Sequence, residues 1–578
     1  MPVINGILEE CYQQLSLEYE IEKVDSLPVC DKRKKASVPV WHLIIQANAF
    51  GKLEDVDVYV AFPNGFPYDM PWVIVIDERL RFLPHISFKN RKICLYEDGT
   101  VYDTSNVVGL VRDNITRARR WIERYSNQDN TAEYAEEIDS YWAEQYDYEK
   151  ELDPYWTVLG AIPDKTCELK AVTYPVDYLG KKDKYFDRTI VCTTEESEKL
   201  LENIYSRYKS HWLSVLFIKS FSLPTEPPYS LTGRQFIERI ADKEDKRFFA
   251  KYINKHREAH LLIPLGLDYL LGGLTIPKLS VFRAGFRKGS VTALDVLTNY
   301  EYRNKNLARM RASVYEKKRI AERSAGAMMQ EQSFVVVGLG SVGSNLCYYL
   351  NGYNNAKFTL IDSDKLNTYN IGRHLLGFRY MDQKKVQAVK DYLVSYRPDR
   401  DVKAKENHLE DAPSEVFIHA SALFLCTGDV MSEKWILDKM TEGEVKIPTF
   451  LLWLEPYGVS GIMVYVNPSQ TDKLKTLVDK VNDSFLDYCL IDRNEYQNGE
   501  NLSKRDAGCN GKYALYSAND VTLFLSAMFP HIDRLLSNPE ETQIYRWVGN
   551  VEIARQKGLH LNENAGGLSK NNVQCLMI

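Results

Sequence analysis

The chain has 578 residues, enough for about three or four domains with cores of their own. Hydrophobic residues make up 44%, charged residues 26%, and the formal net charge is −6, so the basic excess that nucleic-acid binding calls for is missing. No run reaches the ~18 apolar residues of a membrane span, the first residues lack a signal-peptide pattern, and the ten cysteines form no Cys-x-x-Cys pair, so a cytoplasmic protein without a disulfide framework or structural zinc is expected.

Residues 1–126 open with helical spacing over 7–19 and continue through apolar runs at 38–45 and 56–60 that predict meander strands. A proline-punctuated segment from Phe62-Pro63 to Pro71-Trp72 leads to a further strand, then to Pro84-His85-Ile86 and Ile93-Cys94-Leu95-Tyr96. Val111, Ile115, Ala118, Trp121 and Ile122 recur at helical spacing. A free cysteine is most often a small buried hydrophobe, so Cys94 depends on the rest of the chain for a catalytic reading.

Residues 127–298 begin with an acidic, tyrosine-rich stretch, 127–150, expected to be an exposed helix or hinge. Short apolar runs such as 189–192 and 212–218 then alternate with polar helical segments, which predicts a small mixed linker domain. Residues 299–330 carry Arg303, Arg309, Arg311, Lys317, Lys318, Arg319 and Arg323 on an expected helix, most simply a solvated face.

Within residues 299–560, Phe334-Val335-Val336-Val337 enters Gly338-Leu339-Gly340-Ser341-Val342-Gly343 and a helical segment with Leu346 and Leu350. Strand, glycine turn and helix start make a nucleotide cradle: glycine permits close backbone approach, and free N–H groups with the helix dipole favour phosphate. A second apolar run ends in Asp362, whose carboxylate can accept ribose hydroxyls. Dinucleotide-binding oxidoreductases share this much, but the acids, amide and cations of 362–373 and Lys384-Lys385 suit triphosphate charge and Mg²⁺.

Two late strands are expected at 450–458 and 461–466, and the polar stretch 467–512 is a candidate crossing loop. Ala507-Gly508-Cys509-Asn510-Gly511 precedes a helix expected at 517–528, whose dipole would lower the thiol pKa of Cys509. Cys489, among Phe485, Leu486, Tyr488, Leu490 and Ile491, is its rival and reads as packed. Residues 561–578 form a tail whose Cys575-Leu576-Met577-Ile578 only imitates a prenylation box.

On these residues the chain resembles the ubiquitin-activating superfamily, including ThiF/MoeB-like activators of sulfur-carrier proteins; the spacing Asp362, Asn370, Arg373, Lys385 matches its ATP-site pattern. The resemblance implies ATP held by Gly338, Gly340, Gly343, Asp362, Asp364, Asn370, Arg373 and Lys385, with Arg373 and Lys385 assisting catalysis. It implies Mg²⁺ on Asp429, which stands one place later than the acid of the sulfur-carrier activators. Cys509 resembles the cysteine of autophagy-type activating enzymes, and relatives send an arginine into the partner subunit's ATP site, which makes Arg303, Arg309 and Arg311 candidates.

Residues 1–126 resemble the ubiquitin-conjugating fold, with Cys94 matching its catalytic cysteine. Pro84-His85-Ile86 replaces the usual His-Pro-Asn, so the usual oxyanion donor is missing; His85 is either a substitute or a packed loop residue. The expected fold class is multidomain α/β and α+β: a ubiquitin-conjugating-like α+β domain (1–126), a mixed linker domain (127–298), a Rossmann-like adenylating domain (299–560) and a tail (561–578). That order resembles the bacterial fusion enzymes of CBASS anti-phage operons. The resemblance implies a homodimer that adenylates the C-terminus of a cGAS/DncV-like nucleotidyltransferase and conjugates it to lysine-bearing acceptor proteins, while the charge balance and the lack of a long apolar run lead to the expectation of neither nucleic acid nor membrane as partner. Activation of a sulfur-carrier protein, a non-catalytic carrier-binding role for residues 1–126, and an NAD-dependent oxidoreductase are the alternatives.

Overall fold

The computed structural model describes the chain except residues 1, 26, 28–37, 98, 145–155, 179–180, 196, 199–200, 202–210, 257–258, 267–268, 277–296, 298–305, 499–501, 506–511 and 566. It forms two compact units, Met1–Glu316 and Lys317–Ile578.

The first unit begins with helix Pro2–Leu15 and an antiparallel meander of β1 (Ile21–Val24), β2 (Val40–Ala49), β3 (Lys52–Ala61) and β4 (Trp72–Val75). Alternation sets the faces of the meander: Leu43, Ile45, Val56, Val58 and Val60 point into the core, where Ile115, Ala118 and Ile122 of helix Val107–Tyr125 also pack. Asn106 caps that helix by accepting the Gly109 N–H at 2.9 Å.

Seven further described strands, β5 (Trp156–Leu159), β6 (Cys167–Tyr178), β7 (Lys181–Cys192), β8 (His211–Phe217), β9 (Ala259–Pro264), β10 (Leu271–Ile276) and β11 (Ala308–Tyr315), close into a barrel in the order β10-β11-β5-β7-β6-β8-β9. Val158, Leu169, Ala171, Val191, Val215 and Leu262 fill part of it.

Two sequence expectations are corrected here. Part of the stretch expected to be an exposed helix or hinge forms helices Thr131–Glu136 and Ile138–Ala143, whose Tyr134, Tyr141 and Trp142 are buried. Burial of three aromatics outweighs the acidic surface that suggested exposure. The expected basic helix is a strand where Arg309 and Arg311 stand: Met310 and Ala312 are buried, with β11 pairing β10 and β5. A helix follows only at Lys317–Ala325.

The second unit is built on one eight-stranded sheet, β14-β13-β12-β15-β16-β17-β20-β21. Its strands are β12 (Gln332–Val337), β13 (Ala356–Ile361), β14 (Asp401–Lys405), β15 (Ala422–Leu425), β16 (Thr449–Leu454), β17 (Ser460–Val466), β20 (Gln543–Val548) and β21 (Val573–Leu576); a separate hairpin joins β18 (Ser503–Arg505) to β19 (Lys512–Ala514). The first five run parallel and the rest antiparallel. Central β12 is covered on both faces, as its uninterrupted apolar run requires. Val335 and Val337 join Ile436, Leu437, Leu474 and Leu477, and Phe334 meets the rings of Tyr353, Phe358 and Phe424. The stretch expected to be a crossing loop is helical at Thr471–Asn482 and Arg493–Asn498, and the tail supplies edge strand β21. No helix among the described residues is long and apolar enough to cross a membrane.

Trp142 joins the helical extension to the barrel: its Nε1–H donates to Met310 O at 2.9 Å, and its ring fills the space over Gly272. Trp142→Ala is expected to cost the first unit about 3–5 kcal/mol in chemical denaturation. A loss under ~1 kcal/mol would show that the barrel and its helical neighbour do not share this core.

Candidate nucleotide cleft and exposed cysteine

The cleft forms where the parallel strands of the second unit end, because β12, β13 and β15 deliver their following residues to the same edge of the sheet. β12 gives the glycine turn, β13 gives Asp362 and Asp364, and the segment after β15 gives Asp429. Gly338, Gly340, Asp362, Asp364, Lys385 and Asp429 line one cavity of about 370 Å³.

The three glycines do different work. Gly338 has φ +80°, and a Cβ there would lie 2.9 Å from the Thr427 backbone nitrogen. At Gly343 a Cβ would sit 2.0 Å from the Gly338 carbonyl oxygen, so this glycine lets the helix Ser341–Leu350 approach the turn. At Gly340 a Cβ would meet nothing within 4 Å and would project into free space at the helix start, as a phosphate cradle requires.

Asp362 is nearly buried, with 8% of its side chain exposed. Its carboxylate accepts the Leu339 N–H at 2.6 Å and the Asp364 N–H at 2.8 Å. Lys385, also buried, donates to Asp364 at 2.8 Å and stands 3.9 Å from Asp362. Asp429 caps helix Val430–Thr441 by accepting from the Ser432 N–H at 2.9 Å and hydroxyl at 2.8 Å.

Asn370 and Arg373 do not line this cavity. Asn370 accepts the Asn367 N–H at 3.0 Å, and the Arg373 guanidinium donates to Ala514 O at 2.7 Å and lies over the Tyr516 ring. The Tyr516 hydroxyl in turn meets Ser341 Oγ at 2.7 Å, so the segment after β19 is held against the glycine-turn helix. Cys509 lies outside the described residues, as does Arg303. Its rival Cys489 is 2% exposed, and burial pushes its thiol well above the ordinary range. Arg309 is engaged within the first unit, donating to Glu144 O at 2.7 Å, and Arg311 stands on the same barrel strand.

Sequence reasoning missed His374. It is buried, its Nδ1 accepts the Leu376 N–H at 3.0 Å, and its Nε2–H therefore donates to Leu339 O at 2.9 Å. Desolvation lowers its pKa from the ordinary 6.5 to about 4. The signal is tertiary: nothing in Arg373-His374-Leu375 marks the imidazole as the group that holds the turn.

In the first unit Cys94 is exposed, on a loop pinned by its own N–H donating to His85 O at 2.7 Å and by the bridge between Ile86 and Ile93. The His85 ring faces away from an oxyanion role: Nδ1 lies 2.8 Å from Glu137 and Nε2 3.2 Å from Glu133. The hydrogen bond to Glu137 leads the effects that raise its pKa. Glu144 accepts the Phe88 N–H at 2.9 Å and the Ser87 hydroxyl. The acidic stretch after the long helix thus braces the cysteine loop, a role that was not visible in its composition.

Residues 35–150 match the prokaryotic E2 family B, and residues 319–495 match the ThiF family. The chain joins an E2-like domain to a ThiF-like domain. Among solved structures, selenomethionine PaaA is similar at 14% identity over 38% of this chain and 60% of that one, with a TM-score of 0.27. E. coli MccB with ATP is similar at 11% identity over 40% and 63% of the two chains, with a TM-score of 0.28. E. coli MccB with MccA-N7isoASN gives 10% identity, 42% and 64% coverage, and 0.28. The match thus spans less than two thirds of each of these proteins. No curated protein matches the chain.

Two tests address the ThiF-like cleft. Gly343→Ala forces a Cβ onto backbone and is expected to destabilise the second unit by about 1–3 kcal/mol, whereas Gly340→Ala should cost under ~1 kcal/mol yet weaken ATP binding in a fluorescence titration. Equal stability losses for the two would contradict the assigned geometry. The depressed pKa of His374 means that the unfolded chain binds the proton more readily. Its contribution is therefore full above pH 6.5 and is lost as pH falls towards 4. The loss is on the order of 3 kcal/mol, and denaturation of His374→Gln across that interval should lack this share of the decline.

Proposed function

We propose that the chain activates a protein C-terminus with ATP and conjugates it to a target amine. The observation that carries this reading is the presence, in one chain, of a glycine-turn cleft with Asp362, Asp364 and Lys385 and of an exposed Cys94 on an E2-like loop.

The ThiF-like cleft fits a nucleoside triphosphate: Gly340 leaves space at a helix N-terminus, and the Lys385 ammonium stands beside Asp364, whose side chain is 68% exposed. Asp362 is positioned to accept ribose hydroxyls while retaining its backbone bonds, since a carboxylate has about four acceptor sites. Asp429, with Asp364 near, would hold Mg²⁺ bound to the phosphates; the ion would supply charge neutralisation at the leaving pyrophosphate. Arg373 lies outside the cleft lining with one Nη1 donor on Ala514 O, so a phosphate contact would call on its remaining N–H groups or on a shift of the side chain.

In the reaction the substrate carboxylate attacks the α-phosphorus, an acyl–phosphate bond forms, and pyrophosphate leaves. Cys509 thiolate then attacks the acyl carbonyl and AMP leaves. Cys94 thiolate takes the acyl group with release of Cys509, and a lysine amine attacks this second thioester with release of Cys94. Positioning and electrostatics carry the first step, because the phosphoryl centre needs neutralised oxygens rather than a side-chain base. The resemblance of the domain order supports a cGAS/DncV-like nucleotidyltransferase as the carrier, CBASS anti-phage defence as the setting, a homodimer as the active form and the cytoplasm as its location.

A second reading keeps the adenylation chemistry but makes the E2-like domain a carrier-binding scaffold. The engagement of both His85 ring nitrogens by Glu137 and Glu133 favours it, since neither is left to steady an oxyanion beside Cys94. Incubation with MgATP and a nucleotidyltransferase bearing a free C-terminus, followed by non-reducing mass spectrometry, separates the readings. Relay predicts thiol-sensitive adducts on both cysteines, with Cys509→Ala abolishing both and Cys94→Ala sparing the one at Cys509. Conjugation that survives Cys94→Ala would establish the scaffold, and pyrophosphate release without any thioester would favour sulfur-carrier activation.

A further inference from the structure

The turn between β15 and helix Val430–Thr441 has two faces. Thr427, Asp429 and Ser432 line the nucleotide cleft, whereas Gly428, Val430 and Glu433 line a second cavity of about 400 Å³. Trp453, Glu455, Cys489 and Tyr496 form much of its remaining wall.

Two carboxyl groups face this space in different states of engagement. Glu455, 1% exposed, accepts the Leu490 N–H at 2.8 Å, the Ile491 N–H at 3.1 Å, the Tyr496 hydroxyl at 2.7 Å and the Ser460 hydroxyl. Glu433 is 6% exposed, and among the described residues its carboxyl has no hydrogen-bond or ion-pair partner. Burial, with Asp429 adding repulsion, pushes its pKa up to about 8. The arginine that senses Glu455, Arg546, is committed elsewhere, donating to Tyr488 O at 3.0 Å and Gln574 Oε1 at 2.8 Å.

A buried carboxyl without a partner is costly, and a ligand that brings positive charge and N–H donors removes the cost. The Trp453 ring in the wall adds a face suited to a guanidinium or ammonium group.

Resting on the adenylation reading above, we propose that this cavity binds a lysine or arginine side chain of the polypeptide tail being activated, paired with Glu433, while the tail's carboxylate lies across the turn in the nucleotide cleft. The cavity is then a specificity pocket for the residue that the tail presents near its end.

N-acetyl-arginine methylamide, N-acetyl-lysine methylamide and N-acetyl-norleucine methylamide present these side chains free of any assumption about tail length. Titrated into the full chain at neutral pH and followed by ligand-observed NMR, at least one cationic compound should bind about tenfold more tightly than the norleucine one. Glu433→Gln should erase that difference while leaving ATP affinity unchanged. Equal binding of the three compounds, no binding of any, or a cation preference that persists in Glu433→Gln would overturn the pocket. ATP titration of the wild-type chain is read separately: failure there removes the adenylation reading, whatever the cationic compounds do.

Discussion

One residue holds the nucleotide turn of the second unit in place. Leu339, between the first two glycines of the turn, gives its N–H to the Asp362 carboxylate and receives the His374 imidazole N–H on its carbonyl. The turn is held at both ends of a single residue, by a charged acceptor from β13 and a neutral donor from the segment beyond it. Because Asp362 also accepts the Asp364 N–H, and Asp364 in turn positions Lys385, the clamp reaches from the glycines to the ammonium. Truncating Asp362 would strand two N–H groups and leave Lys385 with less compensation in a nearly buried site, the situation in which lost ion pairs are most damaging.

Much of this was legible in the amino-acid sequence, for reasons of period and spacing. The run Phe334–Val337 reads as a strand covered on both faces, and Gly338 and Gly343 are demanded by contacts with Thr427, Cys426 and the Gly338 carbonyl. Asp362 and Lys385 announce themselves by their distance from that turn. His374 and Glu433 do not, since an imidazole or carboxyl acquires its character from burial, and burial is decided by elements far away in the chain. Arg373 shows the converse: its spacing fits a phosphate ligand, yet its guanidinium rests on Ala514, a contact that no local pattern encodes.

The first unit was harder to read because charge concealed periodicity. In β11, Met310 and Ala312 alternate with Arg309 and Arg311 in the two-residue period of a strand, but the basic residues suggested a solvated helix. Near Cys94 the same happened with acids. Glu133, Glu137 and Glu144 look like solvent-facing residues in sequence, and in the fold they hold His85, Ser87 and Phe88, the residues that shape the approach to the exposed thiol.

The barrel has a consequence for the way the protein comes into being. β5 lies near residue 156, yet the strand beside it, β11, is not complete until Tyr315, so the gap in the barrel stays open through some 150 residues of synthesis. Trp142 must wait for the same strand, because Met310 supplies its hydrogen-bond acceptor. The helix that seats the Cys94 loop therefore acquires its full support only when more than half of the polypeptide has left the ribosome. Residues 317 onward emerge just afterwards, so the thiol-bearing half is finished at the moment the nucleotide-binding half begins to appear.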